Sequence, residues 1–331
     1  EELAKRWQRF YDTPGKGFAL IQMKSIGGIE LPKMKPLNQW SFPDEMEPYL
    51  DARMEREKVY WQSRAHIEDD MFCTVSPWYG IAEHTAFLGG KVDFSPDTSY
   101  NHPMLEDWSD FDKLKLDPQN PWLRMVVDGI AYLRKQWGDL FYTRLRGADG
   151  PSDIANIVRG NDLFMDFYDY PEEIHKLMDF CADAAKFTLE LQKEQVDRIG
   201  NGFVSGFDIW LPGNSIGQIS EDASCMVSPE IYEEFFLPAL KKLCKGYDYV
   251  MIHTHSLGKR ILPYFVKVPE IKVLEISSDP NSDRAVKVFR EYEEVLKDVI
   301  TIVQPTRAEL EDNMDLFERN KTIIWYSAEN L

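Results

Sequence analysis

The chain has 331 residues, 44% of them hydrophobic and 28% charged, and its 56 acidic against 38 basic residues leave a formal net charge of −18. Its 19 Phe, 15 Tyr and 9 Trp supply apolar area for a large core, which excludes a disordered chain. A surface this acidic repels phosphate backbones and anionic lipids, so neither nucleic acid nor membrane is expected as a partner. The first 17 residues open as a charged helical pattern, Glu1-Glu2-Leu3-Ala4-Lys5-Arg6-Trp7, and read as a helical extension rather than a signal peptide. There is no initiator Met, and the chain stops just past an apolar run, so short segments are expected beyond both ends. β-Branched and aromatic runs predict strands at 18–25, 72–77, 140–147, 203–210, 249–256, 272–279, 300–306 and 322–327. Helical patterns fall between them. Residues 121–137 start with Pro at a first-turn position, and 171–196 start with Pro171 followed by two Glu. Residues 228–245 begin with a Ser-Pro cap, and 282–297 and 306–319 carry similar signals. Eight strands alternating with helices predict a single α/β domain over 1–331, a (β/α)8 TIM barrel. A doubly wound open sheet is the rival, but no glycine-rich turn follows an early strand. The Pro- and Asp-rich segment from about 84 to 120 is expected to be a long loop inserted at the barrel mouth.

Four cysteines, Cys73, Cys181, Cys225 and Cys244, have no CxxC spacing and read as reduced thiols of a cytoplasmic protein. No stretch approaches the ~18 apolar residues of a membrane span.

Strand alternation decides which polar side chains can meet. In His253-Thr254-His255 the imidazoles are two residues apart and share a face near the end of the fifth predicted strand, where barrel active sites assemble. An H-x-H pair suits zinc or another divalent metal, although a catalytic site needs a third protein ligand. The bland alternative is two histidines hydrogen-bonded in a polar mouth. Glu275, Ser277 and Asp279 share a face of the next strand, Asp208 ends the fourth, and Glu221-Asp222 follow in the loop. Any of these acids could ligate, act as a base or orient a histidine, or could be solvated rim charge. Asp208, Asp222 and Glu275 are the catalytic candidates, with Glu275 or Asp208 expected as the third ligand. Lys24, Arg144, Arg146 and Asp279 are the substrate-binding candidates, the arginines because they share a face and could clamp an anionic group. Asp208, His253, His255 and Glu275 are expected to converge at one barrel mouth, with an arginine on the same rim.

Three segments resemble the uroporphyrinogen decarboxylase superfamily. The first runs from Gly150-Pro151-Ser152-Asp153 through Val158-Arg159-Gly160 to Tyr170-Pro171-Glu172-Glu173. The second is Glu221-Asp222 followed by Val227-Ser228-Pro229-Glu230-Ile231-Tyr232-Glu233-Glu234-Phe235-Phe236-Leu237-Pro238. The third is Ile252-His253-Thr254-His255, where the family often has H-x-C-G. The resemblance implies a (β/α)8 barrel and two chemistries. One is cofactor-free decarboxylation of a tetrapyrrole held by a first-strand arginine cluster. Here that place reads Ile21-Gln22-Met23-Lys24-Ser25, without arginine, which removes charge complementarity to a polycarboxylate. The other is corrinoid-linked methyl transfer, in which His-x-Cys and a later Cys bind zinc that activates a thiol. His253 matches that His, His255 stands in place of the Cys, and no Cys follows residue 244. Replacing thiolates by imidazole and carboxylate makes a harder, more Lewis-acidic site. The resemblance thus implies a divergent member whose substrate is a small molecule or a corrinoid or tetrapyrrole, with a corrinoid carrier protein as a conceivable partner and a homodimer as assembly. A non-catalytic corrinoid binder is the third reading.

Overall fold

The computed structural model describes residues 1–13 and 18–328, so the last residues of the predicted extension, 14–17, lie outside it. Eight strand positions run round a ring: β1 (Phe18–Ile26), β2 (Thr74–Val75), β3 (Tyr142–Thr143, resuming at Ala148–Asp149), β4 (Ile216–Ser220), β5 (Val250–His255), β6 (Ile271–Ser277), β7 (Ile300–Val303) and β8 (Lys321–Ala328). Seven pair in parallel in the order β1-β8-β7-β6-β5-β4-β3, and β2 pairs in parallel with the first part of β3. Between β1 and β2 the ring is bridged by Asp69 and Asp70. The Asp70 N–H donates to the Ile21 carbonyl, and the two carboxylates accept from the Met23 and Ile21 N–H groups, each at 2.8 Å. This is a TIM barrel, as the alternation of elements predicts.

Period-two alternation sets what fills it. Met251 of β5 and Val273 of β6 point into the barrel beside Leu20, Ile302, Ile323 and Trp325. Val250, Ile252, Leu274 and Ile276 face outward onto the helix layer. The N-terminal helix Glu2–Asp12 closes the end where strands begin, burying Trp7 and Phe10. The Tyr11 hydroxyl donates to the Trp210 carbonyl (2.8 Å), and the Lys321 ammonium to that of Phe10 (2.7 Å).

The predicted helix over 121–137 forms with those bounds, its first turn capped by Asn120. The stretch from Pro229 to Cys244 is helical but widens into a π-turn over Tyr232–Phe236, where Tyr232, Phe235 and Phe236 are all buried. A further helix, Met46–Ser63, was not evident from the sequence, because it buries only Tyr49, Leu50 and Met54 and shows no apolar stripe.

Two predicted strands need correction. Residues 203–210 are not a barrel strand: Gly202–Val204 and Trp210–Pro212 form an antiparallel hairpin whose Ile209, Trp210 and Leu211 pack in the barrel interior. Its tip holds Phe207 and Asp208 at φ of 60° and 62°, and the barrel strand comes eight residues later as β4. The run 140–147 is interrupted after Thr143. Gly147 turns there with φ +94°, and a Cβ on it would lie 2.6 Å from the Gln218 Oε1. The segment 84–120 carries its own structure, a hairpin pairing Val92–Phe94 with Ser99–Asn101 and a 3-10 turn at Trp108–Lys113.

Candidate functional site

Because Met251 points inward, so do His253 and His255, one and two alternations nearer the strand's end. Their ring centroids lie 5.0 Å apart with planes at 73°, and both line a cavity of about 680 Å³ at the barrel mouth. Register brings Glu275 opposite His253 and Ser277 opposite His255. On the other side the Glu221 N–H donates to the His253 carbonyl (3.0 Å), extending β4's pairing and setting Asp222 at the start of the following 3-10 turn.

Each imidazole is held from behind by a carboxylate. His253 Nδ1 bonds to Glu275 Oε2, and that carboxylate also accepts from Ser277 Oγ (2.9 Å). His255 Nδ1 bonds to Asp279 Oδ1 (2.7 Å), while Asp279 Oδ2 accepts the Leu257 N–H (2.9 Å). With both Nδ1 atoms engaged, the Nε2 atoms are the free ends. Asp222 meets them, Oδ1 at 3.4 Å from His253 and Oδ2 at 3.5 Å from His255. The donor atoms of these three residues lie within 4.8 Å of one another, the spacing of a metal-binding triad. Asp222 Oδ1 is buried and accepts no hydrogen bond. The Asp222 carboxylate facing Nε2 is foremost in raising the His255 pKa to about 9, against the opposing effect of burial, and Asp279 adds to it.

The turn carrying Asp222 is pinned by Asp153, whose carboxylate accepts the N–H groups of Asp222 (3.0 Å) and Ala223 (2.6 Å). Burial, with Asp222, Asp149 and Glu221 nearby, pushes the Asp153 carboxyl well up. Burial likewise lifts the fully buried Glu221 to about 8. Across the cavity, His84 Nδ1 bonds to Asp149 Oδ1 (3.0 Å). Sequence reasoning missed both Asp153, in a helix first turn, and the pair of His84, in a 3-10 turn, with Asp149, at the end of β3; none of them carries a spacing signal.

The structure therefore gathers His253, His255, Glu275, Asp279 and Asp222, with the roles redistributed. Asp222 takes the third-donor position expected of Glu275 or Asp208, while Glu275 and Asp279 orient the histidines. Asp208 does not converge with them. The hairpin tip turns it into a neighbouring cavity of about 580 Å³, where it pairs with Lys24 Nζ (2.8 Å) and Arg144 Nε (2.9 Å) and accepts from Thr74 Oγ1 (3.0 Å). Burial alone would raise its pKa, but the charges of Lys24 and Arg144 and hydrogen bonds from Lys24 and Thr74 hold it well below the usual carboxylate range. Phe207, its neighbour, instead sets its ring edge against His253, 5.1 Å between centroids. The two arginines also part company, because the break in β3 cancels strand alternation. Arg146 lines the histidine cavity but is buried against Glu83 (2.6 Å) and the Gly80 carbonyl (3.0 Å).

Comparison with known proteins gives the frame for this geometry. The family model for uroporphyrinogen decarboxylase (URO-D) matches residues 78–303. The chain belongs to the uroporphyrinogen decarboxylase family. Within this family match lie all three donors and both carboxylates behind the histidines, whereas Lys24 precedes it. Among solved structures, a methyltransferase from Methanosarcina mazei aligns with a TM-score of 0.61 at 12% identity, over 94% of this chain and 90% of that one. At that identity the likeness is one of fold. A β-glucosidase from Thermotoga maritima in complex with azafagomine aligns at 13% identity over 98% of this chain and 76% of that one, with a TM-score of 0.32, too loose to bear on either fold or function. No curated protein matches the sequence.

Proposed function

We propose that this family member is a metal-assisted methyl- or one-carbon-transfer enzyme of the corrinoid-linked methyltransferase type. The observation that carries the reading is the Asp222–His253–His255 triad with both Nδ1 atoms fixed by carboxylates. Once it has lost its Nε2 proton, an imidazole donating its Nδ1–H to Glu275 or Asp279 presents the Nε2 lone pair to the cavity, which is how carboxylates orient histidine ligands; at His255 the proton that Asp222 and Asp279 otherwise favour is given up on binding a cation. The buried, unbonded Asp222 Oδ1 completes a donor set that fits a divalent cation such as zinc. Once bound, such an ion supplies Lewis acidity and eases deprotonation of a thiol or water. The protein's own contributions are orientation of the ligands by Glu275 and Asp279 and an apolar wall from Phe207 and Trp78. The substrate is a small molecule or a corrinoid-linked methyl group, delivered free or on a carrier protein. Family membership supports a homodimer, and four free cysteines support a cytoplasmic setting. No helix among the described residues is long and apolar enough to cross a membrane.

A second reading, cofactor-free decarboxylation of a polycarboxylate through Asp208 or Asp222, is favoured by the cations Lys24 and Arg144 beside Asp208. It requires no metal. Elemental analysis of protein purified without chelator separates the two. The proposal expects about one equivalent of a divalent metal, lost in His255→Ala. Metal content that is substoichiometric and indifferent to that substitution overturns it. Incubation with methyl donors or porphyrinogens, read by mass spectrometry, then identifies the product.

A further inference from the structure

The cavity that holds Asp208 has a character of its own. Five cationic side chains line it, Lys24, Lys35, Arg53, Arg56 and Arg144, against three carboxylates, Glu57, Asp97 and Asp208. In a chain of net charge −18 this is a local reversal of sign. Burial also pushes the Glu57 carboxyl up, which weakens the acid 3.9 Å from Arg53. Three donors on its lining residues, Arg53 Nε, Trp61 Nε1 and Arg144 Nε, are buried without a hydrogen-bond acceptor; Arg144 Nε is close to Asp208 but not aligned with it. Buried donors are normally paired, so these leave the arginines and the indole that line the cavity free to turn toward an acceptor-rich group. The cavity also has aromatic walls: the Arg53 guanidinium lies 5.4 Å from the Trp78 ring centroid, and Trp61 lines the same space.

It adjoins the triad cavity. Trp78 lines both, and the consecutive residues Phe207 and Asp208 face one each. Four of the five cations precede residue 78, where the family match begins, so the cavity is built largely by this chain's own N-terminal quarter.

We propose that this cavity binds a small organic acid, its oxyanion head group held by Arg53 and Arg144 and its apolar body laid on Trp61 and Trp78. Resting on the methyl-transfer reading above, it is the anchor for a substrate whose reacting end enters the triad cavity. A volume of about 580 Å³ accommodates a molecule of one or two rings.

The test is calorimetric titration of the full chain, at fixed pH and ionic strength, with benzoate, benzenesulfonate, phenyl phosphate, inorganic phosphate and the neutral benzamide. At least one aromatic anion is expected to bind one-to-one and benzamide not to bind, with the preferred anion naming the head group. Arg53→Gln should weaken binding about tenfold or more. Should that variant fail to fold, Trp61→Phe, which keeps a ring and removes the indole N–H, should still weaken it measurably. The proposal is overturned if no organic anion binds, if benzamide binds as well as benzoate, if inorganic phosphate alone binds, or if the folded variants bind like the parent. Repeating the titration on chelator-treated protein keeps the two readings apart. Anion binding by a protein that never takes up metal sinks only the metal reading. Metal uptake without anion binding sinks only this one.

Discussion

Replacing Asp208 by Asn probes the electrostatics of the barrel mouth with little change of shape. Asn is among the few residues that tolerate the left-handed backbone found at this position, so the hairpin tip should keep its φ of 62°. What the substitution removes is a charge that two cations share. At an effective dielectric near 20, a pair at 2.8 Å carries about 6 kcal/mol of gross attraction, most of which offsets the cost of taking the charges out of water. The side chains of Lys24, Arg144 and Asp208 are 19%, 22% and 16% exposed, closer to a buried pair than to a surface one. Breaking a buried pair costs about 3–5 kcal/mol, whereas a surface pair is worth about 0–1. The expected loss is therefore about 3 kcal/mol, read as a lower urea midpoint at unchanged slope. The pH dependence has a definite sign. A carboxyl held below its unfolded value contributes stability that is fully present above about pH 4 and is lost as pH falls toward the folded value. The gap between parent and variant should thus stay flat from about pH 5 to 8 and narrow only below about 4. A loss under about 1 kcal/mol, or a gap that closes between pH 5 and 7, refutes the view of Asp208 as the buried keystone of two ion pairs.

Other expectations follow from the same packing. Glu275→Gln keeps the shape beside His253 but not the charge, and should weaken divalent-metal affinity about 10–100-fold in a chelator-competition titration; unchanged affinity would deny Glu275 its orienting role. Trp210→Ala, in the barrel interior at 1% exposure, should cost about 3–5 kcal/mol in the same urea assay. Gly150→Ala would set a Cβ 2.2 Å from the Glu221 Oε1 and 2.7 Å from the Ser220 carbonyl, so thermal unfolding should come earlier and metal retention should fall with it. Burial pushes the Cys73 thiol up to about 12, and Cys181 and Cys244 are fully enclosed. Alkylation at pH 8, followed by mass spectrometry, should leave all three unmodified until denaturant is added.

The fold was legible wherever local signals and tertiary burial agreed. Asn120 and Pro121 mark a helix start, and β5 to β8 alternate or run apolar as their burial demands. The failures share one cause. Phe203 to Trp210 has the composition of a strand, yet the chain turns at Phe207 and Asp208, and the apolar residues beyond them find burial inside the barrel rather than in its wall. The true β4, Ile-Gly-Gln-Ile-Ser, has few β-branched residues and was passed over. Misplacing that strand put Asp208 where Asp222 stands. Period two was enough to put His253 and His255 on one inward face with Glu275 near them, because β5 and β6 pair in register at those positions. It could not sort the arginines, since alternation fails across the break between Thr143 and Ala148.

The wide turn at Tyr232–Phe236 fixes the phase of everything after it. Each residue of an α-helix advances about 100°, so the additional residue of a π-turn rotates the following helix by that amount relative to an unbroken one. In this protein that rotation presents Leu240, Leu243 and Cys244 to the helix layer around the barrel, all of them fully buried. Deleting one residue in the window would regularise the hydrogen bonds and swing those side chains away from their contacts. The irregular turn therefore persists because the second half of the helix is packed for its angle, and only a compensating change of several residues could straighten it.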